Sequence, residues 1–314
     1  MKNTKSYIVL LVIGLLAILG CGPDAKRDNP LDPVNGRGVW GTIAMLSGGG
    51  PVSGAVITAR PVNINTTSDA QGLYSLDLEG GQRYVLTVHH PQFRDTSDTI
   101  DVPSDGKLSQ NFLISGKPAI TMAKVSTEVI MHEGGSQNHF LHLECLGTHP
   151  EGQSYLEEYS FYAVVNNNNY PAKINTVDYF TWDLDLTTIY GTIPSPETLI
   201  VKEPVIFIIE PGDGLVSVQT TVREFLLVPT NLSPNNGASF SLPGTFSWTN
   251  AQAGLADIMV EIWKGTQKKW SLTTSNVSTI QCLDTLDSGS YTWIVRTTDI
   301  SGNTAASEAT FVIP

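Results

Sequence analysis

The chain of 314 residues is long enough for two or three ordinary domains, and its hydrophobic content of 41% supports packed cores. Charged residues make up only 15%, whereas 28 glycines and 18 prolines are typical of many short strands joined by tight turns. The net charge of −12 argues against nucleic-acid binding, which needs a basic face to neutralise phosphates.

Residues 1–20 are predicted to be a signal peptide that is removed from the mature protein. Lys2 and Lys5 form a basic start, and residues 7–20 are uncharged and apolar. A bilayer span needs about 20 apolar residues, whereas a shorter run is typical of a signal-peptide core. The run ends in the sequence Ile18-Leu19-Gly20-Cys21, which resembles the lipobox of bacterial lipoproteins.

The lipobox resemblance implies that the signal peptidase recognises Ile18, Leu19 and Gly20, cleaves after Gly20, and leaves Cys21 acylated on its sulfur and new amino group. Two or three fatty chains hold a protein stably at a membrane, whereas one binds only marginally. We therefore expect a lipid anchor in the bacterial envelope. Gly22 stands where some inner-membrane lipoproteins carry Asp, which favours the outer membrane. The alternative is an ordinary secretory signal with a chance cysteine.

The mature chain is predicted to be all-β, a tandem of β-sandwich modules that follows the lipidated cysteine and a tether at residues 21–37. The tether has three prolines and several charges but no apolar periodicity. No later stretch has a sustained period of 3.6 residues, so we expect almost no helix.

Residues 38–115 alternate as strands do, with Tyr84, Leu86 and Val88 on one face. Gly41 is followed by motifs at residues 51–57, 67–74 and 81–88. This series of motifs resembles that of the carboxypeptidase regulatory-like domain. The resemblance implies a transthyretin-like β-sandwich, also classed with carbohydrate-binding-like folds. It implies no catalytic residues, because this module is the non-catalytic appendage of its family.

Residues 118–228 are also strand-like and suggest an immunoglobulin-like sandwich. The apolar run at 205–209 and the alternating residues 215–222 flank a turn at 211–214, which predicts a hairpin.

Residues 229–314 are predicted to form a third sandwich. Leu286, Gly289, Tyr291 and Trp293 resemble the tyrosine corner of a fibronectin type III domain. The resemblance implies that the phenol bonds back to nearby backbone.

Cys145 and Cys282 fall in different modules, each on a strand face with aliphatic residues. Both are predicted to be small, buried apolar residues, and no disulfide framework is expected.

No catalytic residue, metal site or cofactor is predicted, and we expect no enzyme. The chain lacks a G-x-S-x-G elbow, an H-E-x-x-H helix, a P-loop and a C-x-x-C pair, and a GxGxxG match at residues 36–41 precedes a strand. His139 and His142 should point to opposite faces, and we interpret them as solvated. Asp183 and Asp185 share a face, as a weak calcium site would need, although a half-buried strand explains them more simply.

Trp263 and Trp270 are the candidate ligand platform. If Ile258, Val260 and Ile262 point inward, Trp263 points outward, and a hairpin turning at Thr266 and Gln267 sets Trp270 across from it. Two exposed indoles could stack on a sugar ring or a partner surface. The alternative is a cross-strand pair that only stabilises the sheet or is covered by a neighbouring module.

These features predict a non-enzymatic, membrane-anchored envelope lipoprotein that presents interaction modules in adhesion, assembly or scaffolding. Its expected partners are the membrane, through the lipid, and an envelope protein or a glycan. The alternative function is a carbohydrate-binding surface lipoprotein for polysaccharide capture. A hydrolase with unfamiliar carboxylates is the third hypothesis.

Overall fold

The computed structural model describes residues 38–174, 176, 178–192, 195–210 and 215–314. The predicted signal peptide, lipobox and tether, including Cys21, lie outside the described residues. The chain divides into two compact units, one ending at Gly116 and one beginning at Lys117. Strands account for 58% of the structure and helices for 6%, which confirms the all-β fold class.

The first unit, as far as it is described, is a sandwich of two sheets. Their orders are β4-β1-β7, with β8 also paired to β1, and β3-β2-β5-β6. The strands are β1 (Gly38–Met45), β2 (Val56–Arg60), β3 (Ile64–Thr67), β4 (Leu73–Leu76), β5 (Arg83–His89), β6 (Thr96–Asp101), β7 (Lys107–Ser109) and β8 (Phe112–Ile114). Alternation along β5 buries Tyr84, Leu86 and Val88 in one core, as predicted.

The second unit contains two hydrophobic cores, one in each predicted module. The first half comprises β9 (Ala119–Met131), β10 (Gln137–Thr148), a 3-10 helix (Gln153–Glu158), β11 (Ser160–Val165), β12 (Asn168–Pro171), β13 (Lys173–Ile174), β14 (Tyr179–Asp185), α1 (Leu186–Tyr190), α2 (Pro196–Ile200), β15 (Pro204–Glu210) and β16 (Val216–Thr221). Strands β15 and β16 pair antiparallel, as predicted for that hairpin, and the turn at 211–214 lies outside the described residues.

The second half comprises β17 (Thr230–Ser233), β18 (Ala238–Ser239), β19 (Gly244–Thr249), β20 (Leu255–Lys264), β21 (Gln267–Thr274), β22 (Thr279–Cys282), β23 (Gly289–Asp299) and β24 (Thr304–Ile313). Phe246, Trp293 and Phe311 fill its core. The Tyr291 hydroxyl donates to the Asp287 carbonyl at 2.7 Å, which is the bond that the tyrosine corner implies.

One sheet runs through both halves of the second unit, which the sequence does not predict. Its order is β13-β14-β10-β9-β24-β23-β20-β21. The junction is a parallel pairing of Thr304–Ser307 with Glu128–Met131. We call this pairing the seam. The second sheet of the first half is β12-β11-β15-β16, and that of the second half is β17-β19-β22. The two cores are therefore joined by continuous backbone hydrogen bonding.

Both described cysteines are free and buried, which confirms the prediction for Cys145 and Cys282. Burial raises the pKa of the Cys145 thiol to about 12 and also raises that of Cys282. None of the described helices has the length and apolar composition that crossing a membrane requires.

Candidate functional site

The two tryptophans of the predicted platform do not lie side by side, and the structure corrects that prediction. A bulge between Ile262 and Trp263 places Trp270 opposite Ile262 and Trp263 opposite Lys268. Residues that are directly opposite share a sheet face. Trp270 therefore packs against the core, whereas Trp263 lies on the outer face with the Lys268 ammonium 5.6 Å from its ring centroid. The prediction placed the turn at Thr266 and Gln267 with no extra residue. In the structure Lys264 pairs with Gln267, so the turn is at Gly265 and Thr266, and Lys269 is an extra residue in β21.

A row of ionisable side chains, Asp183, His142, Glu128 and Arg296, crosses the outer face of the shared sheet at the seam, and we call it the seam row. His142 on β10 contacts Asp183 on β14 through Nδ1, at 2.8 Å, and Glu128 on β9 through Nε2, at 3.1 Å. Arg296 on β23 donates from Nη1 to the other oxygen of Glu128. The residue opposite Arg296 on the intervening strand is Ala306, whose methyl group leaves room for the long side chain to pass over β24.

The Glu128–Arg296 ion pair of the seam row is partly withdrawn from water, so each of its charges depends on the other. The side chains of Glu128 and Arg296 are 14% and 25% exposed. Burial lowers the pKa of Arg296, although a guanidinium remains charged at neutral pH. The prediction of opposite faces for His139 and His142 is confirmed, but neither histidine is simply solvated.

His139 lies inside the first half of the second unit, where it ties both short helices to β10. Its Nε2 is 2.9 Å from Glu197 of α2, and its backbone N–H donates to the Thr187 hydroxyl of α1. The side chain is 7% exposed, and its Nδ1 has no hydrogen-bond partner among the described atoms. The sequence does not predict this burial, because the two helices that cover the ring are too short to give a periodic signal.

The two predicted carboxylates of β14 have separate roles. Asp183 belongs to the seam row, whereas Asp185 caps α1 by accepting from the Thr188 N–H at 3.0 Å. Within the described ranges, no group of three or more His, Cys, Asp or Glu is placed to hold a metal ion.

A cleft of about 240 Å³ opens where β9 lacks a second neighbouring strand. In the part of the chain that the structure describes, β24 pairs with β9 only from Glu128 onward, and residues 119–127 pair with β10 alone. The Thr127 N–H donates to Asn303 Oδ1 at 3.0 Å, so it points away from β10. Because backbone groups alternate along a strand, Ala123 and Val125 direct theirs into the cleft.

The opposite wall of the cleft is the end of β16 and the residues that follow it. Thr220, Val222 and Arg223 line this wall, and Ser301 and Asn303 close one end. Among the described strands, β16 pairs only with β15. Val222 on this wall pairs with Val201 in an isolated bridge, and the Thr127 hydroxyl donates to the Glu224 carbonyl at 3.0 Å. Among the described strands, the edge of β9 from Ala123 to Val125 is therefore the one that faces the cleft without a partner.

Lys124 and Arg223 both line this cleft, in a chain whose net charge is negative. The Lys124 ammonium also contacts Glu144 at 3.2 Å. Burial acts to raise the pKa of Glu144, but hydrogen bonds from Tyr179 and Lys124 outweigh it, and the pKa lies below its ordinary value. Sequence patterns do not reveal the cleft, because its walls come from distant segments.

The comparisons with known proteins concern two segments of the chain and its general architecture. No curated protein matches the chain. A candidate carbohydrate binding protein from Bacteroides uniformis is 15% identical, with a TM-score of 0.26, and the alignment covers 58% of this chain and 97% of that one. A Ca²⁺-stabilised adhesin with which an Antarctic bacterium binds ice is 12% identical, with a TM-score of 0.21 and coverage of 88% and 73%. Immunoglobulin domains 1–5 of Sidekick-1 are 8% identical, with a TM-score of 0.25 and coverage of 87% and 57%.

Two family models match the sequence directly. The carboxypeptidase regulatory-like domain matches residues 38–115, the segment predicted from its motifs. The bacterial Ig-like domain matches residues 239–313, within the segment predicted to be a fibronectin type III-like sandwich. The chain therefore carries a carboxypeptidase regulatory-like domain and a bacterial Ig-like domain in tandem.

Proposed function

We propose that this protein is a lipid-anchored component of the bacterial cell envelope that presents β-sandwich modules to a macromolecular partner. The observation that carries the proposal is that the chain has a regulatory-like domain and an Ig-like domain in tandem, and both types of domain are non-catalytic. The lipobox resemblance at residues 18–21 supports the anchor.

The construction of the second unit supports a presenting role. A shared sheet and the seam row, which includes the Glu128–Arg296 ion pair, join its two cores, so residues 117–314 resist bending at the seam. A stiff carrier loses less conformational entropy when its surface binds a partner than a flexible string of domains does.

Carbohydrate capture is the weaker proposal, because it rested on paired indoles at Trp263 and Trp270. The bulge in β20 and β21 puts them on different faces. A glycan array probed with the mature chain tests this alternative, and selective binding to one glycan class would favour it over the first proposal.

The anchor is tested by expressing the whole chain in a Gram-negative host that is fed labelled palmitate. We expect the wild-type protein to take up label, partition into the membrane fraction and carry the mass of an acylated N-terminal cysteine. The matched variant Cys21→Ala should be unlabelled and soluble. A wild-type protein without fatty acid contradicts the anchor.

The presenting role is tested separately by photo-crosslinking in intact envelopes. A photoreactive residue is placed at exposed strand positions, at Val85 in the first unit and at Ser271 in the second. A discrete adduct with one envelope component at either position supports the proposal. Absence of adducts at both positions, together with turnover of an envelope polymer by the purified chain, contradicts it.

A further inference from the structure

We propose that the cleft beside β9 binds an extended, acidic segment of a partner protein, which adds to the sheet as a short strand. This inference rests on the proposed presenting function and deepens it by naming the recognition surface and the chemistry of its partner. Strand addition combines main-chain hydrogen bonds for affinity with side-chain contacts for specificity.

The backbone of β9 supplies the first part of the argument. Ala123 and Val125 turn their N–H and C=O groups away from β10, and no described strand pairs with them there. An unpaired row of such groups is a template for another chain. From residue 123 to 127 the edge extends about 13 Å, at roughly 3.3 Å per residue, which suits a partner segment of about five residues.

The start of β24 shows that this edge accepts a parallel strand. Thr304–Ser307 already pair with Glu128–Met131 along the same edge of β9. An added segment would continue that line toward the beginning of β9. The Asn303 side chain bonds to the Thr127 N–H and marks where the native pairing stops and the cleft begins.

The charge of the walls determines the chemistry of the partner. Lys124 projects from β9, and Arg223 comes from the opposite wall. Lys124 uses one described contact, to Glu144, and an ammonium has three donors. Side chains of an added strand point alternately to the two sides, so adjacent acidic residues would meet one cation each. Acidic carboxylates form strong, charge-assisted hydrogen bonds with such groups.

The test uses a fluorescein-labelled peptide, acetyl-Thr-Val-Asp-Asp-Val-Thr-amide, and the full mature chain. Two matched peptides accompany it, one with lysines in place of the aspartates and one with N-methyl groups on alternate backbone amides. Fluorescence anisotropy should show saturable binding of the acidic peptide and a loss of about tenfold or more for either control peptide. Amide exchange at Ala123 and Val125 should slow when the acidic peptide is bound.

Protein variants test the same contacts from the other side. Arg223→Glu should weaken binding of the acidic peptide by about tenfold, since it replaces attraction with repulsion. The matched control Lys269→Glu removes an exposed lysine from β21 and should leave binding unchanged. Ala123→Pro should also weaken binding, because it removes an outward N–H without removing a bond to β10.

Specific results overturn the inference. Equal binding of the N-methylated peptide would show an anion site without strand addition, and equal binding of the lysine peptide would exclude charge recognition. No binding of the acidic peptide would overturn the inference entirely. The peptide controls need no protein variant, so a folding defect in Ala123→Pro cannot mask the outcome. Acylation and crosslinking are measured independently, so either proposal can fail alone.

Discussion

Replacing Glu128 with Gln tests whether the ion pair at the seam stabilises the second unit. The substitution keeps the shape of the side chain but leaves the Arg296 guanidinium, which is 25% exposed, without its carboxylate. It also removes one of the two acidic partners of His142. Both effects destabilise the part of the second unit in which β9, β24 and β23 pair.

The expected magnitude follows from the burial of the pair. Exposed ion pairs contribute about 0–1 kcal/mol, whereas removing one partner of a fully buried pair costs about 3–5 kcal/mol. Glu128 and Arg296 lie between these limits, at 14% and 25% exposure. We therefore expect Glu128→Gln to lower the free energy of unfolding by about 2–3 kcal/mol. For a unit of this size, that corresponds to a drop in Tm of about 4–12 °C.

The assay is urea denaturation and calorimetry of the mature chain, with a double-mutant cycle that adds Arg296→Met. The matched control is Asp101→Asn, which breaks a fully exposed pair with Arg83 in the first unit. Its effect should be small, as it is for ordinary surface substitutions. A stabilising role for the Glu128–Arg296 pair is refuted if Glu128→Gln destabilises the protein no more than Asp101→Asn does, or if the cycle gives no coupling energy.

Three further predictions concern single side chains of the second unit. Asn303→Ala removes the buried acceptor of the Thr127 N–H and should lower the free energy of unfolding by about 1–3 kcal/mol, as measured by urea denaturation; an unchanged midpoint contradicts this. The lowered pKa of Glu144 gives stability above the ordinary carboxyl range that is lost as the pH falls through the folded pKa, so Glu144→Gln should flatten the acid limb of the stability curve below about pH 4. A variant curve parallel to that of the wild type would show that Glu144 is not responsible. Cys145, with a pKa raised to about 12, should react with a disulfide reagent at mildly alkaline pH only after unfolding, and rapid reaction of the native protein would contradict its burial.

Elements that depend on local periodicity were predictable from the sequence. Tyr84, Leu86 and Val88 enter one core because alternation leaves no other face for them. Tyr291 meets the Asp287 carbonyl because a short sequence distance fixes that turn. Both features depend on residues that lie within about ten positions of one another. The local sequence is therefore enough to predict them.

One extra residue in β21 separates Trp263 from Trp270. Alternation predicts the faces of Trp263 and Trp270 correctly only if the hairpin has no bulge. Lys269 is the extra residue, and one insertion moves every later side chain to the other face. Nothing in the sequence between residues 263 and 270 separates a regular hairpin from a bulged one.

The seam was unpredictable for a different reason, because it joins residues almost 180 positions apart. Arg296 gives a partial signal, since it is a charge in the middle of an otherwise apolar and threonine-rich strand. Its partner Glu128 cannot be identified from one sequence, because several outward-facing acidic residues are equally plausible by pattern. Pairing of distant strands is set by packing rather than by local propensity.

The cleft and the seam have a common cause in the loop that precedes β24. Asp299 Oδ1 accepts from the backbone N–H groups of Ser301 and Asn303, at 2.8 and 2.9 Å, and Gly302 adopts a positive φ of 86°. These bonds turn the chain so that β24 reaches β9 only at Thr304. The same turn leaves the earlier edge of β9 without a strand and puts the Asn303 side chain at its end. A longer β24 would extend the seam and fill the cleft, so the loop at 299–303 sets how much of β9 holds the two cores together and how much stays open to a partner.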